Sequence, residues 1–394
     1  MTVTGPRPVL AVVGLSARLM AEAARRDGYE VLALDLFGDQ DTRQASRHWQ
    51  AIGDAATLQI DEAALMAGLR LAAGRQAVGW VAGSGLEGRP EWLARGAGLL
   101  PLWGTPAVAV AAVREPQRFF GQLQAWGVSF PPVVFERPER PAGWWFKDSG
   151  ASGGWHIRPA RADDPSQAPA GHYWQQHAPG QALSATFLAA GGRAVLLGVN
   201  RQVVRPWRGR PLVFHGVVGP LAVPGWLRSR LQGLLDRLAA TFGLQGLLGV
   251  DFLWRGDEWM VLEVNPRLPA SLALYGRQGG LMAAHLAACR SEQLPQGDAL
   301  AALRTPRRMH GLRHVYTRNA LALDDARWQR LQAWPGVHDL PAAPLTLAAG
   351  DPLCTLEGSL AMDEPEGDDA AADRLIDQLD RDADSLLNDL ETAP

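Results

Sequence analysis

The sequence is poor in cysteine, in long apolar runs and in excess charge of either sign. Its 394 residues include two cysteines, Cys289 and Cys354, which lie far apart and outside any CxxC pair. A disulfide framework and a cysteine-ligated zinc site are therefore not expected. No apolar run reaches about 20 residues, so no membrane-spanning helix is expected. The formal net charge of −3 provides no basic field for nucleic acid.

The N-terminal stretch MTVTGPRPVLAVVG contains a short apolar run that fits a first β-strand. It lacks the length and the cleavage pattern of a secretory signal. A cytoplasmic protein without a membrane partner is the expectation.

Strand and helix patterns alternate over the first hundred residues. VLAVVG at 9–14 and VLALD at 31–35 are apolar strands, and a helical segment that stops at a glycine separates them. LQIDEAALMAGLRLAAG and AVGWVAGSG repeat the alternation. This order predicts a parallel sheet with helices on both faces, a Rossmann-like α/β unit. The turn GLSAR has one glycine where a dinucleotide fingerprint has three, which argues against an NAD site. Asp35 could hold a ribose there, but we interpret it as a cap.

After Pro106 the pattern changes to helices and then, from about residue 143 to 275, to β-branched and aromatic strands with short turns. Gly191 and Gly192 predict a hairpin. A β-rich segment covers about 306–361, and the acidic segment 362–394 has leucines at helical spacing, which we interpret as a solvated amphipathic helix. The histidines, His156 among them, form no metal-ligand pattern and are interpreted as structural or surface residues.

In the stretch VLEVNPRLPAS, Glu263, Asn265 and Arg267 occupy alternate positions and would share one face of a strand. Asp251 precedes them on a neighbouring strand, and the length of the turn between the strands decides whether it joins them. A three-residue loop at 256–258 places Asp251 opposite Glu263, whereas a two-residue loop places the acids on opposite faces. We favour the three-residue loop, which gathers Val250, Phe252, Leu262 and Val264 on one apolar face. Converging carboxylate and amide oxygens suit Mg²⁺ or Mn²⁺; solvated charges on a surface hairpin are the alternative.

The stretch FKDSGASGGWHI places Lys147 before a run of small residues, Ser149 to Gly154. Backbone N–H groups of such a loop can close over phosphates. The lysine precedes the glycines, so this is not a Walker A loop. A flexible surface turn is the alternative interpretation.

Together, the loop and the motif resemble the ATP-grasp superfamily, and the chain resembles ATP-dependent carboligases related to biotin carboxylase. The resemblance implies a Rossmann-like pre-ATP-grasp domain (1–108), an ATP-grasp domain (109–305, with a lid at about 130–180), a small C-terminal β module (306–361) and an acidic, helical tail (362–394). It implies roles for the following residues: Lys147, Ser149, Gly150, Ser152, Gly153, Gly154, Gln175, Gln176 and Ala178 in nucleotide binding, Asp251, Glu263 and Asn265 as metal ligands, and Arg267 with Lys147 in catalysis.

This sequence also departs from the family pattern. Pro116 stands where many members have a lysine, for which Arg114 or Arg118 could substitute. Ser271 stands where biotin carboxylases have a glutamate base, which argues against bicarbonate chemistry on biotin. Asn200, Gln202 and Ser271 are candidate substrate contacts.

The expected function is that of an ATP-grasp ligase, which uses ATP with Mg²⁺ or Mn²⁺ to convert a small carboxylate into an acylphosphate for attack by an amine. Its partners would be small molecules, with a homodimer as one option. A non-catalytic ATP-binding sensor on the same fold is the alternative, and an NAD-dependent oxidoreductase is a third.

Overall fold

The computed structural model describes residues 7–304, 307–342, 344–362 and 367–392. Its N-terminal unit alternates strands with helices, as the sequence predicts: β1 (Val9–Val13), α1 (Arg18–Arg26), β2 (Glu30–Asp35), α2 (Gln40–Ala45), β3 (His48–Ala51), β4 (Gly53–Asp54), β5 (Gln59–Ile60), α3 (Glu62–Gly74), β6 (Trp80–Ala82), α4 (Pro90–Ala97) and α5 (Ala107–Arg114).

Four of these strands form a parallel sheet in the order β3-β2-β1-β6. Alternate residues of β1 enter different cores, because successive side chains of a strand point to opposite faces. Leu10 packs in one core with Met20 of α1, and Ala11 packs in another with Leu65 of α3. Helices therefore cover both faces, and the predicted α/β class is confirmed.

The middle of the chain contains α6 (Pro116–Ala125), β7 (Val133–Val134), β8 (Trp144–Asp148), β9 (Arg158–Pro159), β10 (His172–Gln176), β11 (Gln181–Ala190), β12 (Arg193–Trp207), β13 (Arg210–Leu221), α7 (Gly225–Phe242), β14 (Gly246–Arg255), β15 (Glu258–Asn265), a 3₁₀ turn (Ala270–Leu274), α8 (Leu281–Ser291) and α9 (Gly297–Leu303). Strands β7-β10-β8-β9 form a small sheet. The hairpin predicted at Gly191 and Gly192 joins β11 to β12.

The C-terminal part contains β16 (Arg308–Tyr316), β17 (Leu321–Leu323), α10 (Asp325–Ala333), β18 (Val337–His338), β19 (Leu345–Leu347), β20 (Pro352–Ala361) and α11 (Asp369–Thr392). An eight-stranded sheet in the order β15-β14-β11-β12-β13-β16-β20-β18 joins this part to the middle of the chain. Within the described ranges, no helix combines the length and the apolar character needed to cross a lipid bilayer.

Helix α11 corrects one expectation. The segment is helical as predicted, but it is not a solvated extension, because its leucines are buried against β16 and β20. Gly311 and Gly358 face each other on those strands and leave room for Leu375 and Leu379. Asp377, Asp384 and Asp389 are exposed on the outer face, whereas Asp380 is half-buried and pairs with Arg205 and Arg313 of the sheet.

Shortening Leu379 to alanine should destabilise the protein by roughly 3 kcal/mol, because a leucine that is 2 % exposed would leave a cavity over two glycines. Urea unfolding would measure the change. The exposed Asp377→Ala on the same helix is the control and should change stability by less than about 0.5 kcal/mol. An equal effect of both changes would show that this helix does not pack on the sheet.

A buried arginine joins the N-terminal unit to the C-terminal part. Arg18 on α1 is 1 % exposed. Its Nε donates to Asp339 at 2.7 Å, and its Nη1 donates to Glu357 at 3.0 Å. Glu22 lies 3.6 Å from the same guanidinium, and Arg277 reaches the second oxygen of Glu357 at 2.8 Å. Arg18 therefore neutralises carboxylates from both parts of the chain.

Candidate active site

The hairpin β14–β15 brings Asp251 opposite Glu263, although not by the predicted turn. The turn has two residues, Gly256 and Asp257, with Arg255 opposite Glu258. Counting from that turn alone would place the acids on opposite faces. A β-bulge intervenes: Phe252 pairs with Val261 and Asp251 pairs with Glu263, so Leu262 is the extra residue. The predicted three-residue loop is wrong, and the bulge restores the predicted pairing of the acids.

Asp251 is held by two amides. Gln202 Nε2 donates to one carboxylate oxygen at 3.0 Å, and Asn265 Nδ2 donates to the other at 3.0 Å. Burial and the facing charge of Glu263 raise the pKa of Asp251 to about 7. A cation between the two acids would relieve this repulsion, so the donor set fits Mg²⁺.

Glu263 stays ionised. Burial raises the pKa of Glu263, but Arg114 and Lys147 outweigh burial and hold it below the usual value. Arg114 Nη1 lies 3.4 Å from the Glu263 carboxylate and also donates to the Val264 carbonyl at 3.2 Å. The site thus combines two acids with two cations.

Lys147 lies on β8, beside β10. It is 5 % exposed, and its Nζ donates to Gln175 Oε1 at 3.0 Å. Burial lowers the pKa of this ammonium, while Glu263 opposes the shift. Lys147 therefore links the small sheet, which carries Gln175, with the acids of the hairpin.

The glycine-rich loop lies over this group. Gly150 touches Gly88, where an added Cβ would lie 2.6 Å from the Gly150 carbonyl oxygen. Arg114 Nη2 donates to the Ala151 carbonyl at 2.8 Å. Arg114 therefore contacts both the loop and the hairpin.

Arg267 reaches the same region. Its Nη2 donates to Asn265 Oδ1 at 3.3 Å, and its Nε donates to Glu87 at 2.7 Å. Burial raises the pKa of Glu87, and Arg267 more than offsets it, so this acid is charged. Glu87 was not among the predicted site residues, because nothing in the stretch GSGLEG distinguishes it from a surface acid.

Three buried nitrogens around these residues have no hydrogen-bond partner in the described part of the chain: Gln175 Nε2, Arg114 Nε and His156 Nδ1. Unsatisfied buried polar atoms are costly, so their concentration here points to a polar ligand. With Lys147 beside them, they fit a nucleotide phosphate and base. His156 was missed: its pKa falls to about 4 through burial, with Glu263 and Lys147 among the charges that act on it.

Two candidate substrate residues are hydrogen-bonded to other residues of the protein. Asn200 is 0 % exposed and is bonded to Thr186 and Tyr275, at 2.9 and 2.6 Å. Ser271 is bonded to the same Thr186 at 2.6 Å. Both belong to an internal polar cluster, whereas Gln202 does reach the site through Asp251.

Gln176, predicted to bind the nucleotide together with Ala178, is the last residue of β10. The backbone N–H of Gln176 donates to the Pro132 carbonyl at 2.8 Å, and its side chain is exposed. That N–H is therefore engaged within the protein, and the prediction for Gln176 and Ala178 stays a prediction.

The structure also shows the surroundings of Pro116, of its two candidate replacements and of Asp35. Pro116 is the first residue of α6, whose capping residue Glu115 accepts hydrogen bonds from the next two free N–H groups. Of the two candidate replacement arginines, Arg114 contacts Glu263, whereas the guanidinium of Arg118 lies 5.8 Å from the Phe242 ring. Asp35 accepts bonds from Ala17, Gly38 and Trp49, as expected for a cap.

Comparison with known proteins supports the resemblance. Residues 118–271 match the ATP-grasp domain family. A stretch of 71 residues, 18 % of this chain, is 34 % identical to the large chain of carbamoyl phosphate synthase from Rubrobacter xylanophilus. That match spans 7 % of the relative's length.

Solved structures resemble nearly the whole chain. Biotin carboxylase from Campylobacter jejuni superposes with a TM-score of 0.68 at 13 % identity, covering 97 % of this chain and 95 % of that one. N5-carboxyaminoimidazole synthase from Aspergillus clavatus gives 0.66 at 15 % identity (96 % and 99 %). L-amino acid ligase from Bacillus licheniformis gives 0.66 at 15 % (96 % and 98 %). The chain shares their fold, and residues 118–271 are an ATP-grasp domain, as the loop and the motif predicted.

Proposed function

We propose that this protein is an ADP-forming ligase that activates a small carboxylate as an acylphosphate and transfers the acyl group to an amine. The observation that carries the proposal is the facing pair Asp251 and Glu263, with Lys147 and Arg114 beside it. Such a group of opposed charges suits phosphoryl transfer, where catalysis is mostly positioning and charge neutralisation.

Each residue has a role in this proposal. Asp251, Glu263 and Asn265 hold Mg²⁺ or Mn²⁺, which neutralises charge on the phosphates when bound. Lys147 and the loop residues Ser149, Gly150, Ser152, Gly153 and Gly154 hold the phosphates, and Gln175 faces the base. Arg267, kept in place by Glu87, stabilises the negative charge that develops when the carboxylate oxygen attacks phosphorus and when the amine attacks the acyl carbon.

The two alternatives have less support. The sensor hypothesis drew on the lysine missing at Pro116, but Arg114 places a cation beside Glu263. The oxidoreductase hypothesis needs Asp35 to bind ribose, and three donors already occupy that carboxylate. The proposal also includes domain boundaries at residues 108, 305 and 361. It further includes a cytoplasmic location and a homodimer.

Product analysis tests the function. The protein should release ADP and phosphate from Mg·ATP when pooled small acids and amines are present, and little without them. ³¹P NMR or chromatography would identify the products. AMP and pyrophosphate would contradict the acylphosphate mechanism, because they indicate adenylation of the acid. Binding of Mg·ATP without turnover in any pool would favour the sensor.

A further inference from the structure

The glycine-rich loop is clamped to strand β13 at two consecutive glycines. Gly153 and Gly154 both have a left-handed backbone, with φ of 70° and 79°. A Cβ on Gly154 would lie 1.7 Å from the Leu212 carbonyl oxygen, so no larger residue fits there. Phe214 N donates to the Gly153 carbonyl at 3.0 Å. The path of the next two residues is therefore determined by this contact.

Those two residues have different surroundings. Trp155 packs edge-on against Tyr316 of the C-terminal part, with ring centroids 6.2 Å apart. His156 lies among the charges of the site: Glu263, Lys147 and Arg114 all act on its imidazole. Its Nδ1 is buried and has no hydrogen-bond partner among the described residues. The loop thus carries an imidazole whose buried Nδ1 is unpaired, close enough to the charged group to feel its field.

The position of His156 along the site indicates what it would meet. Gln175, which carries another unpartnered nitrogen, contacts Lys147 and marks the end assigned to the base. His156 instead belongs to the loop whose Ala151 carbonyl accepts from Arg114, and Arg114 also contacts Glu263, a proposed metal ligand. The terminal phosphate of ATP would lie near the proposed metal ligands Asp251 and Glu263, between the cations Arg114 and Lys147.

We propose that His156 is a further residue of this site and donates a hydrogen bond from Nδ1 to the terminal phosphoryl group of ATP. The inference rests on the proposed function. No proton is transferred in this role; the imidazole N–H replaces a water that would otherwise solvate the phosphoryl oxygens. Hydrogen bonds to charged oxygens are stronger than neutral ones, so the contact favours nucleotides that carry a third phosphate.

Calorimetric binding of Mg·ADP and of Mg·AMP-PNP, which carries a non-hydrolysable third phosphoryl group, tests the inference. His156→Ala should weaken AMP-PNP about tenfold and ADP by less than about twofold. His156→Asn keeps a side-chain N–H donor and should recover most of the affinity. His172→Ala, on β10 and stacked on Phe146, is the matched control and should leave both affinities unchanged.

Each of the other possible results contradicts either the role of His156 or the proposed function. If His156→Ala binds AMP-PNP as the unchanged protein does, the imidazole does not contact the phosphoryl group. If it weakens both nucleotides equally, His156 acts on loop placement and the inference fails. If the unchanged protein binds neither nucleotide, the proposed function fails as well. Circular dichroism of each variant, with His156→Asn as the milder change, separates these results from misfolding.

Discussion

Glu263→Gln should lower ADP formation about 100-fold or more, with loss of the response to added Mg²⁺. The change removes one of two facing carboxylates and leaves Arg114 without its acid partner. Steady-state ADP release, measured over a range of Mg²⁺ concentrations, would determine both effects. The shape of the side chain is preserved, so the loss would be one of charge.

Glu258→Gln is the matched control, because Glu258 lies on the same hairpin with its side chain 65 % exposed and paired with Arg255. It should leave turnover unchanged. Turnover of Glu263→Gln at the normal rate would remove Glu263 from the metal site and with it the basis of the proposed chemistry. Equal thermal unfolding of both variants would show that the comparison is one of activity.

Arg18→Met should destabilise the protein by about 3–5 kcal/mol, the largest effect expected of any single change to the scaffold. The methionine fills most of the volume, but Asp339 and Glu357 would be left buried without their main cation. Urea unfolding at pH 7 would measure the loss. Arg26→Met, on the same helix and 3.8 Å from Glu22, should cost less than about 1 kcal/mol.

The pH dependence of unfolding adds a specific readout to the Arg18 variant. Burial raises the pKa of Glu357, but Arg18, with smaller contributions from His338 and Arg277, outweighs burial and holds it below its usual value of 4.5. A depressed acid pKa contributes stability that is present above 4.5 and is lost as the pH falls through the lower, folded-state value. Arg18→Met should therefore lose less of its remaining stability on acidification from pH 5 than the unchanged protein does. Parallel acid profiles of the two proteins would contradict the assigned role of Arg18.

Most helices and strands could be predicted from the sequence, because apolar periodicity and the placement of glycines are patterns within a few residues of chain. The strands, the hairpin at Gly191 and Gly192 and the terminal helix are of this kind. The bulge at Leu262 is not, since it depends on how the hairpin packs in the sheet. The solvated interpretation of α11 failed for a related reason: an amphipathic pattern predicts a buried face but not what covers it.

The candidate site divides in the same way. Lys147, Asp251 and Glu263 belong to motifs with recognisable spacing, and the structure brings them together. His156, Arg114 and Glu87 come from three separate segments and meet only in the folded chain. The local sequence around a charged residue or a histidine does not indicate which distant residues it will contact in the folded chain. The orphaned nitrogens of His156 and Arg114 identify them only once the fold is known.

The partners of Arg18 are separated from it by more than 320 residues of chain, since Asp339 lies 321 positions further on. At ribosomal rates of about 5–20 residues per second, roughly 16 to 64 s pass before that carboxylate emerges. During that interval, Glu22 and Asp41 are the acids of the N-terminal unit that lie within ion-pair distance of this arginine. The Arg18 guanidinium is therefore synthesised well before its C-terminal partners, Asp339 and Glu357, are available. Its native burial requires Asp339 and Glu357, so a chain arrested before residue 339 would keep the guanidinium in contact with water.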